Sequence, residues 1–443
     1  MRLPLFCLFV LMMSGLPGAK AFAAADAGSV FALFRNPPRE YASAPLWVWN
    51  DLLTEEEVAY SLNALADQGV RQAFVHPRPG LMTPYLSDDW FRMWRAALDV
   101  AEKRDMNIWI YDENSYPSGF AGGFVPEAMP EARCMGLVLQ PIKNLGALKN
   151  VDVLAVFERD GEQWKNVTEA FRANPSLTGD YLAATLSKGG ESPWFGGKFY
   201  VDLLRPGVTE KFLEITLDPY RKAFPGEWGK RIPGSFTDEP HLASAKGLHW
   251  TPDLPREFER RRGYSLMDNL PGLTEATGDW KRVRHDYYQT LLDLFGERWG
   301  KPYRDYCARA GIEFTGHYWE HEWPNTRSVP DNMAMSAWQQ RPGIDILFNQ
   351  YGEGVHAQFG NVRAVMELQS VANQMGCART LCETYGGSGW DIRFEDLKRI
   401  GDWVQVLGGN TINEHLSHIT LRGARKRDYP VTFSYHEPWW KAY

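Results

Sequence analysis

The chain alternates between short apolar runs that end in polar residues and longer stretches that carry apolar residues at helical spacing. The apolar run at 45–51 (PLWVWND) precedes a helical stretch in which Thr54 and Glu57 form a Thr-x-x-Glu capping box. The run at 71–78 precedes a second helical stretch, and the run at 107–114 follows it. This order predicts β-α-β-α-β and therefore a parallel sheet.

The same alternation continues along the chain and gives eight predicted strands, each separated from the next by helical sequence. These strands start near residues 45, 71, 107, 232, 312, 344, 378 and 410. Eight such strands with intervening helices predict an α/β fold of the (β/α)8 TIM-type barrel class. The alternative is a doubly wound open sheet, but the first predicted strand lacks the glycine-rich nucleotide fingerprint of that fold.

One segment departs from this alternation of strands and helices. Residues 135–205 alternate like antiparallel strands, with an Asp-Gly hairpin turn at 160–161, and predict a small inserted β subdomain. The insertion divides the barrel into a first part at 43–134 and a remainder at 206–443, and a Pro-rich lead-in occupies 24–42. The chain stops where the helix after the eighth strand should start, which predicts a barrel truncated after strand 8.

The first residues resemble a processing signal. Arg2 is followed by a short apolar run and by the small-x-small sequence at 21–23, which predicts a signal peptide at 1–23 and a periplasmic or secreted protein. No later run is apolar over 18 residues, so we expect no membrane span.

Composition narrows the class of ligand. The net charge of −7 provides no basic footprint, so we expect no nucleic-acid partner. The chain has 18 Trp, 19 Tyr and 23 Phe, which suits stacking on the apolar faces of sugars, although an aromatic core would need the same residues. The tryptophans that we take as candidates for a sugar platform are Trp47, Trp49, Trp319 and Trp390.

Polar residues collect where the predicted strands end. In a barrel these ends meet at the catalytic mouth, although ordinary strands also lead into polar loops. The concentration across all the strands therefore indicates a site more strongly than any single member does. The candidate substrate-binding residues are Asn50, Asp51, His76, Arg78, Asp112, Glu113, Asp238, His317, Glu320, Tyr385, Trp390, Glu414 and His415.

Two carboxylates on different strands fit glycoside hydrolysis, which needs one protonated and one ionised acid at the scissile bond. Glu239 in SFTDEPHL follows the fourth predicted strand, and Glu383 in LCETYGG ends the seventh. Asp238 should help to keep Glu239 protonated, because a like charge raises a pKa. The alternatives are an acidic loop that caps the next helix, and a glycine turn that carries a solvated acid.

The alternative interpretation is that the polar residues at these strand ends bind a metal ion. His317 and His321 are four residues apart but lack the His-Glu-x-x-His arrangement, and with His415 they define a candidate metal-dependent hydrolase. The oxygen-rich segment at 111–123 (YDENSYPSGFAGG) suits Ca²⁺, but substrate binding is the favoured role for it.

Taken together, PLWVWND, VHPRPGLMTPYLSDDW, WIYDENSYPSGFAGG, GSFTDEPHL and ETYGGSGWDIRF resemble bacterial α-L-rhamnosidases of glycoside hydrolase family 106. The resemblance runs over nearly all of residues 40–443. It implies an exported barrel enzyme that removes terminal rhamnose from a glycoside, oligosaccharide or polysaccharide by inversion. Glu239 would be the acid and Glu383 the base, and a Ca²⁺ ion, not placed on particular residues, would lie near the sugar. The alternative is a carbohydrate-binding or truncated barrel without turnover.

Overall fold

The computed structural model describes residues 26–350, 352, 362–425 and 429–443, so the predicted signal peptide lies outside the described residues. Residues up to Pro38 form a separate unit. It carries helix α1 (Ala27–Arg35), whose first turn is capped by the Asp26 side chain. The second unit, Arg39–Tyr443, contains every other element.

The strands of the second unit alternate with helices over most of its length. Among the described residues the strands are β1 (Leu46–Trp49), β2 (Gln72–Pro77), β3 (Asn107–Tyr111), β4 (Met135–Asn144), β5 (Val153–Asp160), β6 (Gln163–Asn166), β7 (Thr178–Lys188), β8 (Gly234–Asp238), β9 (Leu248–Trp250), β10 (Glu313–His317), β11 (Gly343–Ile346), β12 (Leu381–Thr384), β13 (Ile412–Glu414) and β14 (Ser417–His418). The helices that follow α1 are α2 (Glu55–Asp67), α3 (Asp88–Arg104), α4 (Phe124–Ala128), α5 (Thr168–Ala173), α6 (Val208–Thr216), α7 (Asp218–Ala223), α8 (Leu254–Arg262), α9 (Trp280–Phe295), α10 (Lys301–Ala310), α11 (Asn332–Ser336), α12 (Val362–Met375) and α13 (Phe394–Leu407). No helix in the described part of the chain is long and apolar enough to cross a bilayer.

All eight predicted strands are present and run parallel, which confirms the α/β class with parallel sheets. They form one six-stranded sheet in the order β10-β8-β3-β2-β1-β14 and one three-stranded sheet in the order β11-β12-β13. Strands that neighbour each other in sequence therefore also neighbour each other in space, and their carboxyl ends point the same way. The capping box predicted for α2 is half formed, since the Thr54 hydroxyl accepts from the Glu57 N–H (3.2 Å).

The two parallel sheets adjoin at β10 and β11 without a strand ladder between the described residues. Hydrogen bonds between β10 and the segment before β11 make the connection. The Gln339 amide donates to the Gly316 carbonyl (3.0 Å), the Thr315 hydroxyl donates to the Arg341 carbonyl (2.7 Å), and the Gln340 N–H donates to the Phe314 carbonyl (3.0 Å). At the other edge β13 leads directly into β14, which belongs to the larger sheet. Closure into a full barrel, and its truncation after strand 8, stay predictions.

The core between sheet and helices is aromatic. Trp47 and Trp49 on β1 are fully buried; the Trp47 indole donates to Ser61 on α2 (2.8 Å), and Trp49 packs edge-on against Trp90 of α3. Parallel strands covered on both faces bury side chains of both orientations. The expectation that Trp47 and Trp49 form a sugar platform is therefore wrong.

The predicted insertion at 135–205 supplies four strands of an antiparallel sheet, whose order is β6-β5-β7-β4-β9. Strands β5 and β6 are the hairpin that the Asp-Gly turn indicates, with Asp160 opposite Gln163. The fifth strand, β9, comes from the loop after β8 and was not included in the sequence prediction. It pairs with β4, so the insertion is tied to the chain that leaves Glu239.

Candidate active site

Glu239 stands at the point where β8 ends. Asp238 is the last residue of the strand and Glu239 follows it; the two are only 5% and 6% exposed. The Glu239 N–H donates to the His317 carbonyl at the end of the neighbouring strand (3.1 Å). Glu239 has φ 45°, a left-handed conformation that costs a non-glycine residue about 1–3 kcal/mol. The fold therefore holds this carboxyl group in place at a cost in backbone energy.

Glu383 lies on β12 and is paired with a histidine of β10. Its Oε2 lies 2.7 Å from Nε2 of His317, and its Oε1 lies 3.9 Å from Nε2 of His415. His317 is also 3.8 Å from Asp238. His317 therefore stands between the acidic end of β8 and Glu383.

Both glutamates line one cavity of about 310 Å³ at the carboxyl ends of the parallel strands. Its walls come from β8, β11 and β12 and from the loops after β2, β3, β8, β10, β11, β13 and β14. The lining residues are Arg78, Tyr116, Asp238, Glu239, Trp319, His321, Asp345, Leu347, Phe348, Glu383, His415 and Tyr429. The volume is at the lower end of the range for small-molecule sites and suits one sugar-sized group.

The surroundings drive the pKa values of the two glutamates apart. Burial, and then the Asp238 carboxylate, raise the pKa of Glu239 well above its usual value. Burial alone would also raise the pKa of Glu383, but the hydrogen bond and charge of His317 outweigh it and lower this pKa. The surroundings thus favour the protonated form of Glu239 and the ionised form of Glu383.

His317 is charged because of this pairing. Burial by itself would lower its pKa, but the hydrogen bond to Glu383 and the nearby carboxylates raise the pKa well above the ordinary histidine value. Burial raises the pKa of Asp238 to about 6, and the Tyr111 hydroxyl donates a hydrogen bond to the Asp238 carboxylate. The state of the site near neutral pH is an imidazolium held among several carboxyl groups.

Asp345 is a member of the site that the sequence analysis missed. It lies inside β11, 4% exposed, and burial and the charge of Glu383 raise its pKa well above the usual value. The pattern that indicated the other site residues was polar residues at the ends of strands, and Asp345 does not lie at a strand end. An aspartate inside the apolar run GIDIL was the signal that would have identified it, since a buried acid needs a partner or a role.

Five further predicted residues lie in or next to this cavity. Arg78 and His415 line it, and Trp319, proposed as a platform, does so too. Glu320 is buried and its carboxylate accepts the backbone N–H of Asp345. His76 is fully buried and stacks on Tyr111 with ring centroids 3.6 Å apart, and burial lowers its pKa well below the usual value.

Other predicted residues organise the loops around the mouth and do not line the cavity. The Asn50 amide donates to the Thr420 carbonyl (2.9 Å), and Asp51 pairs with Arg422 (2.6 Å) and with Arg425. These contacts join the loop after β1 to the loop after β14.

Two acids and two aromatic residues from the predicted set also do not line the cavity. The Tyr443 hydroxyl donates to Glu414 (3.0 Å), and the Tyr385 ring packs on Phe433 (5.5 Å). Trp390 is 60% exposed and does not line the cavity. Asp112 accepts from the hydroxyls of Ser118 (2.5 Å) and Tyr303 (2.7 Å).

Glu113 is used entirely by the loop that follows it. Its carboxylate accepts the backbone N–H groups of five residues at 2.5–3.1 Å, those of Asn114, Gly119, Phe120, Ala121 and Gly122. The glycine-rich segment 111–123 is therefore folded around an internal carboxylate, so the carboxylate oxygens of Glu113 face the loop and not a ligand.

Two groups of side chains among the described residues have metal-ligand spacing. They are Asp238 with His317 and Glu383, and Glu239 with His321 and Asp345. Ca²⁺ takes six to eight oxygen ligands, and a histidine in each group of three does not fit that preference. The three histidines of the metal-hydrolase alternative do not come together in either group. We derive no step through a metal ion.

Two comparisons with known proteins bear on the family and the fold. A curated protein of Formosa agariphila, named a putative beta-glucuronidase, is 21% identical over an aligned length of 484, which is 92% of this chain and 40% of that protein. The structure of a rhamnosidase from Novosphingobium sp. PP1Y is 15% identical and superposes with a TM-score of 0.70 over 93% of this chain and 59% of its own, which shows a shared fold. The chain thus spans less than two thirds of either relative.

The sequence profile of glycoside hydrolase family 106, described as alpha-L-rhamnosidase, matches residues 195–430. This match covers more than half of the chain and includes both Glu239 and Glu383. The chain belongs to the α-L-rhamnosidase family of glycoside hydrolases, family 106.

Proposed function

We propose that this chain hydrolyses glycosides and removes a terminal α-L-rhamnose by an inverting, two-carboxylate mechanism. The observation that carries the proposal is the opposite displacement of two pKa values, those of Glu239 and Glu383, within one cavity. Pairs of carboxyl groups whose surroundings separate their pKa values in this way are typical of acid and base assignments in glycosidases. Family membership supports rhamnose as the sugar.

In the proposed reaction Glu239 acts as the general acid. Its proton passes to the glycosidic oxygen while the bond between that oxygen and the anomeric carbon breaks. Glu383 acts as the general base and takes a proton from the water whose oxygen bonds to the anomeric carbon on the opposite face. His317 keeps Glu383 ionised before the step and fixes the orientation of its carboxylate through the 2.7 Å hydrogen bond.

The stereochemical outcome depends on the separation of the two carboxyl groups. Inverting enzymes hold them about 6.5–9.5 Å apart to admit the water, whereas retaining enzymes hold them about 5–5.5 Å apart. The two glutamates belong to different side-chain groups with metal-ligand spacing, Glu239 with His321 and Asp345 and Glu383 with His317 and Asp238.

We also propose that the fold is a closed (β/α)8 barrel and that the protein is exported. The strand order across both sheets and the side-chain bridges between β10 and β11 support the barrel. The processing signal predicted at 1–23 supports export to the periplasm or the medium. The prediction of a Ca²⁺ ion rests only on the resemblance to the family. Activity that survives exhaustive chelation would contradict this prediction.

The test is hydrolysis of a panel of aryl glycosides headed by an α-L-rhamnoside, followed by NMR of the anomer first released. The proposal expects cleavage of the rhamnoside and first release of β-L-rhamnose. First release of the α anomer would contradict inversion, and cleavage of a different glycoside would contradict rhamnose. A matched variant, Glu239→Gln, should bind a rhamnoside that has a poor leaving group but hydrolyse it far more slowly. Binding without turnover by the unmodified chain would favour the carbohydrate-binding alternative.

A further inference from the structure

A second cavity of about 280 Å³ adjoins the one that holds the two glutamates. The two share Arg78, and they meet along Tyr116, which lines the first cavity while the preceding residue, Ser115, lines the second. An enzyme that removes a terminal sugar finds only one further group attached to that sugar. A cavity next to the sugar cavity is therefore positioned to receive the leaving group.

One wall of the second cavity is supplied by Trp194, which belongs to the inserted segment and not to the parallel sheets. Its indole N–H donates to the Tyr116 carbonyl (2.5 Å), and its ring meets the Tyr116 ring edge-on with centroids 5.5 Å apart. Trp194 is 39% exposed, so a face of a large aromatic ring stays open beside the cavity. Such a face suits the apolar face of a sugar ring.

The loop that carries Trp194 is seated closely on the glycine-rich loop after β3. A Cβ atom at Gly196 would lie 2.1 Å from the Gly122 carbonyl oxygen, so only glycine permits this approach, and Gly196 has φ +64°. The position of Trp194 is therefore fixed by two backbones in contact. This is the preorganisation that a specific subsite needs.

Arg78 lines both cavities, and its charge also acts on Asp238 and Glu383 of the first one. Among the described residues that line the second cavity, Arg78 carries the only ionisable side chain. The Arg78 guanidinium lies over the Tyr116 ring, 5.0 Å from its centroid, and the side chain is 5% exposed. Arginine pairs strongly and with defined geometry with carboxylates, more so when the pair is shielded from water.

We infer that the second cavity is the leaving-group subsite and that it takes a uronic acid. The sugar ring of the leaving group stacks on Trp194, and its carboxylate pairs with Arg78. The inference rests on the proposed function, and it goes further in naming the chemical class next to the cleaved bond. It also gives the inserted segment a role in specificity.

The test measures binding without turnover, so it does not depend on which sugar is cleaved. Tryptophan fluorescence of the full chain is titrated with the methyl glycosides of glucuronic and galacturonic acid, and with those of glucose and galactose as neutral counterparts. We expect at least one uronide to bind about tenfold or more tightly than its neutral counterpart. Trp194→Ala should weaken binding of that uronide at least about fivefold, and Arg78→Gln should remove the preference while Arg78→Lys keeps part of it.

The matched control is Trp164→Ala, on β6 of the inserted sheet. Trp164 lies under the Arg159 guanidinium (4.7 Å) and lines neither cavity, so this variant should bind the uronide as the unmodified chain does. Equal binding of acidic and neutral glycosides, or a Trp194→Ala variant that binds the uronide normally, would overturn the inference. A preference for uronides in a chain that cleaves no rhamnoside would instead contradict the proposed function and leave the subsite standing.

Discussion

Two neighbouring strands end in the same pair of residues and use it in opposite ways. Strand β3 leads into Asp112-Glu113, and strand β8 ends in Asp238-Glu239; the two strands pair with each other in the larger sheet. The first pair is consumed by hydrogen bonds within the chain, with five backbone N–H groups on Glu113 alone. The second pair faces the cavity that also holds Glu383.

The residues that follow each pair explain the difference. After Glu113 the segment Asn-Ser-Tyr-Pro-Ser-Gly-Phe-Ala-Gly-Gly turns back and directs its N–H groups at the carboxylate. After Glu239 comes Pro240, which has no N–H to donate, and the chain leaves toward β9. A buried acid at a strand end is thus structural where its own loop can satisfy it, and is left for chemistry where the loop cannot.

The largest expected effect comes from replacing the two glutamates of the cavity. Glu239→Gln and Glu383→Gln should each lower kcat for a rhamnoside with a poor leaving group by about 10²–10⁴-fold, because each removes a proton-transfer step. Glu113→Gln is the matched control from the other strand end and should keep most of the activity of its folded fraction. If Glu113→Gln lowered kcat as much as Glu239→Gln does, the proposed functional difference between the two strand ends would be contradicted.

For the free energy of unfolding we expect the opposite ranking, with the larger loss from the change at Glu113 and the smaller from the change at Glu239. Glu113→Ala removes the acceptor of five backbone N–H groups and should cost about 2–4 kcal/mol of unfolding free energy, measured by urea denaturation. Glu239→Gln should leave the unfolding free energy unchanged or raise it, since it replaces a buried carboxyl group held against other acids. If Glu239→Gln destabilised the protein as much as Glu113→Ala, its carboxyl would be a structural group.

The next effect is a shift in the acidic limb of the pH–rate profile. Glu383 must be ionised to act as a base, so activity is lost as the pH falls through its pKa, which His317 holds below the usual value. His317→Asn removes that charge and hydrogen bond, so the pKa of Glu383 should rise and the acidic limb should move to higher pH. An unmoved acidic limb would show that His317 does not set the state of Glu383.

The smallest expected effect is on the alkaline limb. Glu239 must be protonated, so activity is lost as the pH rises through its raised pKa, to which Asp238 contributes after burial. Asp238→Asn should lower the pKa of Glu239 and move the alkaline limb to lower pH. Asp112→Asn, at the other strand end, is the control and should move the limb less; a larger shift from Asp112→Asn would contradict the assignment.

The fold was predictable where a periodic pattern specified it. Short apolar runs separated by helical spacing identified every parallel strand from β1 to β13, because strand burial and helix amphipathicity leave direct traces in sequence. Strand β9 was missed because its three residues are too short to show a period, and its pairing with β4 depends on tertiary contacts.

The site was predictable in part. Acids at strand ends pointed to Glu239 and Glu383, yet the same rule selected Glu113 and Glu414, whose partners are loop N–H groups and the distant Tyr443. The strand-end rule took no account of the glycine-rich loop after Glu113, and the contact of Tyr443 with Glu414 is a tertiary one that leaves no local signal. Asp345 was missed for the opposite reason, since it lies within a strand whose neighbours are apolar.

The central claim is that Glu239 is the acid and Glu383 the base, and leaving-group dependence tests it most directly. The fluoride ion of α-L-rhamnosyl fluoride leaves without being protonated by a general acid. Glu239→Gln should therefore hydrolyse this substrate at a rate within about tenfold of the unmodified chain, whereas Glu383→Gln should stay impaired by about 10²-fold or more. Rescue of Glu383→Gln with no rescue of Glu239→Gln, or equal impairment of both variants on the fluoride, would contradict the assignment.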